Sequence, residues 1–203
     1  MSIASEKTII LASSSPRRQE LIRSLNRPYE IIVSSVDETT DPGLSPAEIV
    51  EQLSSRKAQA VYERCKAESR FETGSVIVGS DTIVVQGGEV LGKPKDAEDA
   101  FRMLRSLQGR GHQVYSGVAV IDLQTGVQHV SHRKTNVRMK PLADEQIRRY
   151  IATGEPMDKA GAYGIQGLGA TIVEEIEGDY FSVVGLPMSL LSDLLARFSI
   201  AVF

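Results

Sequence analysis

The chain has a single cysteine, Cys65, among 203 residues. That excludes an internal disulfide and a multi-cysteine zinc site, and it fits a reducing compartment. No apolar run approaches the ~18 residues of a membrane span. The first run, Thr8-Ile9-Ile10-Leu11-Ala12, is too short for a signal-peptide core and carries no cleavage pattern. An excess of one charge is also missing. The 23 basic and 26 acidic residues leave a formal net charge of −3, which gives no general attraction to nucleic acid or an acidic membrane. The histidines, His112, His129 and His132, lack metal-ligand spacing. Repeats and low-complexity tracts are absent. With 41% hydrophobic and 24% charged residues, the composition excludes collagen, coiled coil and wholesale disorder. A chain of this length buries about 70% of its unfolded surface. The expectation is a soluble, cytoplasmic protein of one domain or two small lobes.

Helical and strand patterns alternate, which places the chain in the α/β class. Thr8–Ala12 reads as a strand, followed by a helix from Pro16 to about Leu25 with a serine as its cap. Tyr29–Val36 reads as a second strand and Asp37–Leu44 as a polar loop. Ser45-Pro46-Ala47-Glu48 is a capping box that starts a helix to about Lys66, with Ile49, Val50, Leu53, Ala60 and Val61 inward. Ser75–Gly79 and Thr82–Val85 are short apolar runs, and Gly87-Gly88 turns the chain into Glu89–Leu91 as a hairpin. Asp96 caps a helix that buries Ala100, Met103, Leu104 and Leu107 and ends at Gly109. Two long strands, Val114–Leu123 and Gly126–Met139, flank a Gln124-Thr125-Gly126 turn. A helix from Asp144 to Thr153 precedes a glycine-rich loop, Asp158–Gly169. A hairpin of Thr171–Glu175 with Tyr180–Val184 and a last helix from Pro187 complete the chain. Helices mixed with hairpins predict a mixed sheet, interrupted by polar loops around 79–92 and 155–170.

Four stretches can carry chemistry. In Ser13-Ser14-Ser15-Pro16-Arg17-Arg18 a strand gives way to a helix whose free N–H groups, hydroxyls and guanidiniums suit an anion. Capping alone would also account for the serines. In Gly79-Ser80-Asp81-Thr82 an aspartate lies between buried strand runs, which is costly unless it is paired, holds a hard cation or takes a proton from water. A plain Asp turn is the alternative. Gly92-Lys93-Pro94 brings an ammonium a short hairpin away, and it is not a Walker loop. The fourth is Asp158-Lys159-Ala160-Gly161-Ala162-Tyr163-Gly164-Ile165-Gln166-Gly167-Leu168-Gly169. Its glycines permit close backbone approach to a ligand, and Gln166 offers a donor and an acceptor suited to a base edge. The alternative is a tight crossover. His132, Lys134, Asn136, Arg138 and Lys140 fall on one strand face; a solvated face is the better reading than an RNA surface in an acidic chain.

In this order, these stretches together with Val36-Asp37-Glu38, Gly178-Asp179-Tyr180 and Val184-Gly185-Leu186-Pro187 resemble the Maf family of nucleoside triphosphate pyrophosphatases, from about Ile9 to Leu195. Ser80 stands where many members have alanine. The Asp158–Gly167 stretch is similar to the subgroup acting on dTTP and UTP. The resemblance implies an elongated α/β fold around a mixed, twisted sheet, related to the inosine triphosphate pyrophosphatases. It also implies a single domain over residues 1–203 with two lobes around a central cleft. By resemblance Asp81 is the catalytic proton acceptor. Arg17, Thr82 and Gln166 match substrate-specificity positions; Glu38, Lys57 and Lys93 match further polar residues of the cleft, while Ser13 and Arg18 belong to the anion-binding stretch. A divalent cation, Mg²⁺ or Mn²⁺, held by Asp81 and Glu38, and a homodimer are further implications, as are roles in clearing modified nucleotides and in division arrest. Two other readings remain: a broad pyrophosphatase for non-standard nucleotides, and a nucleotide-binding regulator of cell division with incidental hydrolysis.

Overall fold

A computed structural model describes residues 7–69 and 74–203. Strand β1 (Ile9–Leu11) is buried along its whole length, which suits an unbroken Ile-Ile-Leu run. It pairs in parallel with β2 (Tyr29–Ile31) and with β3 (Val76–Gln86). Helix α1 (Pro16–Arg23) links β1 to β2, and α2 (Pro46–Ala67) lies between β2 and β3. β3 turns through Gly87 and Gly88, at φ of 58° and 88°, into antiparallel β4 (Glu89–Leu91). There follow α3 (Ala97–Leu107), β5 (Gly111–Asp122), β6 (Gln128–Met139), α4 (Asp144–Ala152), β7 (Val173–Glu177), α5 (Tyr180–Val184) and α6 (Met188–Ala196). The strand order is β2-β1-β3-β5-β6-β7, with β4 paired to β3. Parallel pairs at β1 and an antiparallel β6–β7 pair make this a mixed seven-stranded α/β sheet. No helix among the described residues is long and apolar enough to cross a membrane.

The chain divides into two compact units. The first comprises the residues up to Asp81, Gly117–His132 and the chain from Gly185; the second comprises Thr82–Ser116 and Arg133–Val184. Each has an apolar core. That of the first gathers Ile10, Ala12, Ala58, Val61, Cys65, Ile77 and Ile121. That of the second gathers Val84, Leu104, Leu107, Val137, Met139, Ile147 and Tyr163. Strands β3, β5 and β6 each contribute residues to both units.

Local signals decide the best-defined helix starts. In α2, Ser45 Oγ accepts from Glu48 N at 3.3 Å while Glu48 Oε2 accepts from Ser45 N at 2.7 Å, which completes the capping box. In α3, Asp96 Oδ1 accepts from Asp99 N at 2.8 Å, and Ala100, Met103, Leu104 and Leu107 are buried as their spacing predicts.

Several expectations are corrected. β2 ends at Ile31, and Val33 beyond it is exposed. The two apolar runs around Gly79-Ser80-Asp81 are one strand, so Asp81 is a strand residue and not a turn residue. In α1 the serine cap makes no side-chain bond; instead Ser13 Oγ accepts from Ser15 N at 3.2 Å. On α2 the buried alanine is Ala58, with Ala60 only half-buried. The glycine-rich segment is built of short 3₁₀ turns, among them Ala160–Ala162 and Gly167–Thr171. The expected hairpin after it is absent: β7 pairs with β6, and Tyr180–Val184 is helical. Asp179 explains this. Its Oδ1 accepts from Phe181 N at 2.9 Å in the manner of a cap, and its N–H is held by Thr135 Oγ1 at 3.0 Å.

Candidate active site

Helix α2 packs so closely on β3 that a Cβ at Gly79 would strike Ser54 O and Ala58 N. Side chains alternate along a strand, so Asp81 leaves β3 on the same face as Gly79. Lys57, one residue before Ala58, meets it there. Its Nζ lies 2.5 Å from Asp81 Oδ1 and 2.8 Å from Glu38 Oε1, which the loop after β2 supplies. The Lys57 and Asp81 side chains are only 12% and 10% exposed, whereas Glu38 is 55% exposed. Periodicity treats Lys57 as helix surface. The sequence signal that marks its burial is its position on the apolar stripe, four residues from both Leu53 and Val61.

Arg18 adds a second cation. Its Nε donates to Gly185 O at 2.7 Å. Burial lowers its pKa, the charges of Asp81 and Glu38 act against that, and neighbouring Arg17 acts with it. Ser80, on the opposite face of β3 from Asp81, has its Oγ 2.8 Å from Gly117 O and 3.0 Å from the same Gly185 O. Ser13 is buried at the end of β1, and Ser15 leaves the first-turn N–H groups of α1 without a side-chain cap. The first unit thus brings together Glu38, Lys57, Asp81 and Arg18.

In the second unit, Thr82 Oγ1 lies 2.7 Å from Ser116 Oγ, which itself donates to Ser182 O at 2.7 Å. Ser116 has one hydroxyl proton, so Thr82 is the donor of the first bond. Sequence reasoning gave Ser116 no role, and nothing in its spacing marks one. Gly161 N donates to Gly92 O at 3.0 Å, which ties the glycine-rich segment to the residue before the exposed Lys93. Gly161, at φ 69°, lies against Val84, whose Cγ2 would be 2.9 Å from an added Cβ. Gln166 is half-buried at the start of the Gly167–Thr171 turn, and its side chain makes no capping bond. The polar face of β6 is a solvated, neutralised surface: Arg138 bonds Glu174 and Glu175, and Asn136 bonds Glu177.

A family model described as Maf-like protein matches residues 8–198. The chain belongs to the Maf family. Among its Maf relatives, a dTTP/UTP pyrophosphatase of Desulforamulus reducens is 48% identical over 196 residues, covering 97% of this chain and 99% of that protein. Another, from Pelotomaculum thermopropionicum and of the same name, is 50% identical over 192 residues, covering 95% of this chain and 97% of that protein. Among solved structures, the Staphylococcus aureus Ham1 protein is similar at a TM-score of 0.45 and 16% identity, covering 82% of this chain and 80% of that one.

Proposed function

We propose that this Maf protein hydrolyses dTTP and UTP to the nucleoside monophosphate and pyrophosphate. Relatives so named match it at 48–50% identity over nearly its whole length. The observation that carries the reading is the Lys57 ammonium shared by Asp81 and Glu38, with Arg18 in electrostatic reach of both carboxylates. Such a group joins a proton acceptor to the cations that a triphosphate requires. Water attacks the α-phosphorus, Asp81 takes its proton, and the bond to the pyrophosphate oxygen breaks. Arg17, Arg18, Lys57 and Lys93 bind phosphate oxygens and offset the charge that develops on the leaving group. Ser13 and the first turn of α1 add hydrogen-bond donors.

Among the described residues no cluster of three or more His, Cys, Asp or Glu side chains forms an all-protein metal cage. Two carboxylates, Asp81 and Glu38, already converge on one positive charge, which fits Mg²⁺ or Mn²⁺ held by one or two carboxylates together with substrate phosphates. When bound, that ion supplies charge neutralisation on phosphate oxygens. Gln166 and Thr82 read the base, and the Gln166 amide offers donor and acceptor to the pyrimidine edge. The proposal places the enzyme in the cytoplasm as a homodimer, which sedimentation of the purified chain tests.

The deciding experiment incubates the purified protein with dTTP, UTP, CTP, GTP, ATP and 7-methyl-GTP in Mg²⁺ or Mn²⁺ and measures pyrophosphate and orthophosphate separately. Pyrophosphate release favouring dTTP and UTP is expected. Orthophosphate without pyrophosphate overturns attack at the α-phosphorus, and binding without turnover makes the protein a nucleotide-binding regulator.

A further inference from the structure

Gln166 begins a 3₁₀ turn, Gly167–Thr171, yet does not cap it. A helical turn leaves its first N–H groups unsatisfied, and a side chain at the preceding position ordinarily accepts from the second or third of them. Here Glu155 does this from elsewhere in the chain. Its Oε2 accepts from Leu168 N at 2.9 Å and its Oε1 from Gly169 N at 2.8 Å. Tyr150 extends the hold to the other side of Gln166: its hydroxyl donates to Glu155 Oε1 at 2.9 Å and accepts from Gly164 N at 3.3 Å. Space is allotted to the same contact, because a Cβ on Gly167, at φ 64°, would lie 2.7 Å from Glu155 Oε2. Glu155 is in turn placed by Lys159 Nζ, which donates to its carbonyl at 2.5 Å.

We infer that Glu155 is a positioning residue for base selection: it caps the Gly167–Thr171 turn in place of Gln166, so the Gln166 amide is aimed at the pyrimidine and not consumed by its own backbone. The inference rests on the reading of Gln166 given above. Glu155 touches no substrate atom. It fixes the backbone on the C-terminal side of Gln166 directly and on the N-terminal side through Tyr150. Burial raises the Glu155 pKa, but the N–H groups of Gly169 and Leu168, the Tyr150 hydroxyl and the Lys159 charge together lower it below the ordinary carboxylate range. The carboxylate form required for capping is therefore present at neutral pH.

The test compares wild type with Glu155→Ala, Glu155→Gln, Tyr150→Phe, Gln166→Ala and the Glu155→Ala/Gln166→Ala double variant. Glu155→Ala should raise KM for UTP and dTTP and cut their preference over CTP by about tenfold to a hundredfold, with a smaller change in kcat. Glu155→Gln keeps the shape but turns an N–H toward one backbone donor, so it should fall between wild type and alanine. Tyr150→Phe loses the hold on Gly164 and the bond to Glu155 Oε1 but leaves the Glu155 bonds to Leu168 and Gly169 in place, so it should show a milder loss of preference. In the double variant, selectivity should match Gln166→Ala alone, because both changes remove one function. Losses that multiply, or a folded Glu155→Ala or Glu155→Gln with undiminished preference, overturn the inference. Amide exchange provides a separate reading: Leu168 and Gly169 should exchange faster in Glu155→Ala than in wild type, and unchanged exchange refutes the capping role. If wild type shows no preference for UTP and dTTP, the reading of function fails together with the selection role, while amide exchange still decides whether Glu155 holds the turn.

Discussion

Lys57 Nζ stands 2.5 Å from Asp81 Oδ1 and 2.8 Å from Glu38 Oε1, one ammonium between a strand carboxylate and a loop carboxylate. The arrangement keeps Lys57 paired if either carboxylate is lost. Asp81→Asn should therefore remain folded, by circular dichroism, while pyrophosphate release falls by about 10²–10⁴-fold, the usual worth of a general base. Turnover near that of wild type in the folded variant would remove Asp81 from the reaction.

The exposed Glu38 is the more replaceable of the two carboxylates. Chelation should abolish pyrophosphate release, and added Mg²⁺ or Mn²⁺ should restore it. Glu38→Gln should raise the half-saturating metal concentration by about tenfold or more, measured by titrating activity and, without nucleotide, by calorimetry. Unchanged metal dependence would assign the cation to other donors.

Ser80 donates its one proton into a space shared by the Gly117 and Gly185 carbonyls, and it is fully buried. Ser80→Ala should cost about 1–2 kcal/mol of stability in denaturant unfolding while turnover stays close to wild type, because the Lys57–Asp81 pair is on the other face of β3. A large loss of turnover would show that the carbonyl arrangement around Gly185 feeds into the chemistry.

Gly79 holds α2 and β3 at the separation that lets Lys57 reach Asp81. Gly79→Ala places a methyl against backbone atoms at Ser54 and Ala58, which cannot rotate away as a side chain can. About 1–3 kcal/mol of destabilisation is expected from such overpacking, with reduced activity in whatever fraction folds. An unchanged midpoint in urea would contradict the tight packing.

His112 is buried, with Nε2 2.6 Å from the Tyr163 hydroxyl and Nδ1 without a hydrogen-bond partner among the described residues. Burial lowers its pKa from 6.5 to about 4. Between those values the unfolded chain binds the proton and the folded one does not, so stability falls as pH drops from about 6.5 toward 4. The slope approaches at most about 1.4 kcal/mol per pH unit for one group. Chemical denaturation at pH 7, 6 and 5 should reveal it, and His112→Gln should lack that component. Equal slopes in both proteins would show that His112 titrates normally.

Features that depend on neighbours in sequence were legible. The capping box at Ser45 and Glu48, the buried face of α3 and the Gly87-Gly88 turn are each settled within a few residues, where capping and periodicity act. The Maf motifs were also readable, since they name residue types in order. The Tyr180–Val184 run differs from expectation because an apolar Tyr-Phe-Ser-Val-Val stretch suits a strand, whereas Asp179 caps it as a helix and is itself held by Thr135, far away in the chain. Lys57 is legible through family resemblance, and its place on the apolar stripe of α2 is the local signal of its burial. Glu155 left no local trace at all.

By itself the amino-acid order determined the α/β alternation, the helix starts and the chemical inventory of carboxylates, cations and glycines. Those follow from backbone preferences and side-chain chemistry that act over a turn or two. Which charges meet was decided by tertiary structure. Lys57 reaches Asp81 only because Gly79 lets α2 close on β3, and Glu155 caps a turn more than ten residues ahead only because the glycine-rich segment folds back to it. A buried charge must find its partner wherever packing brings one, and sequence separation does not limit that choice.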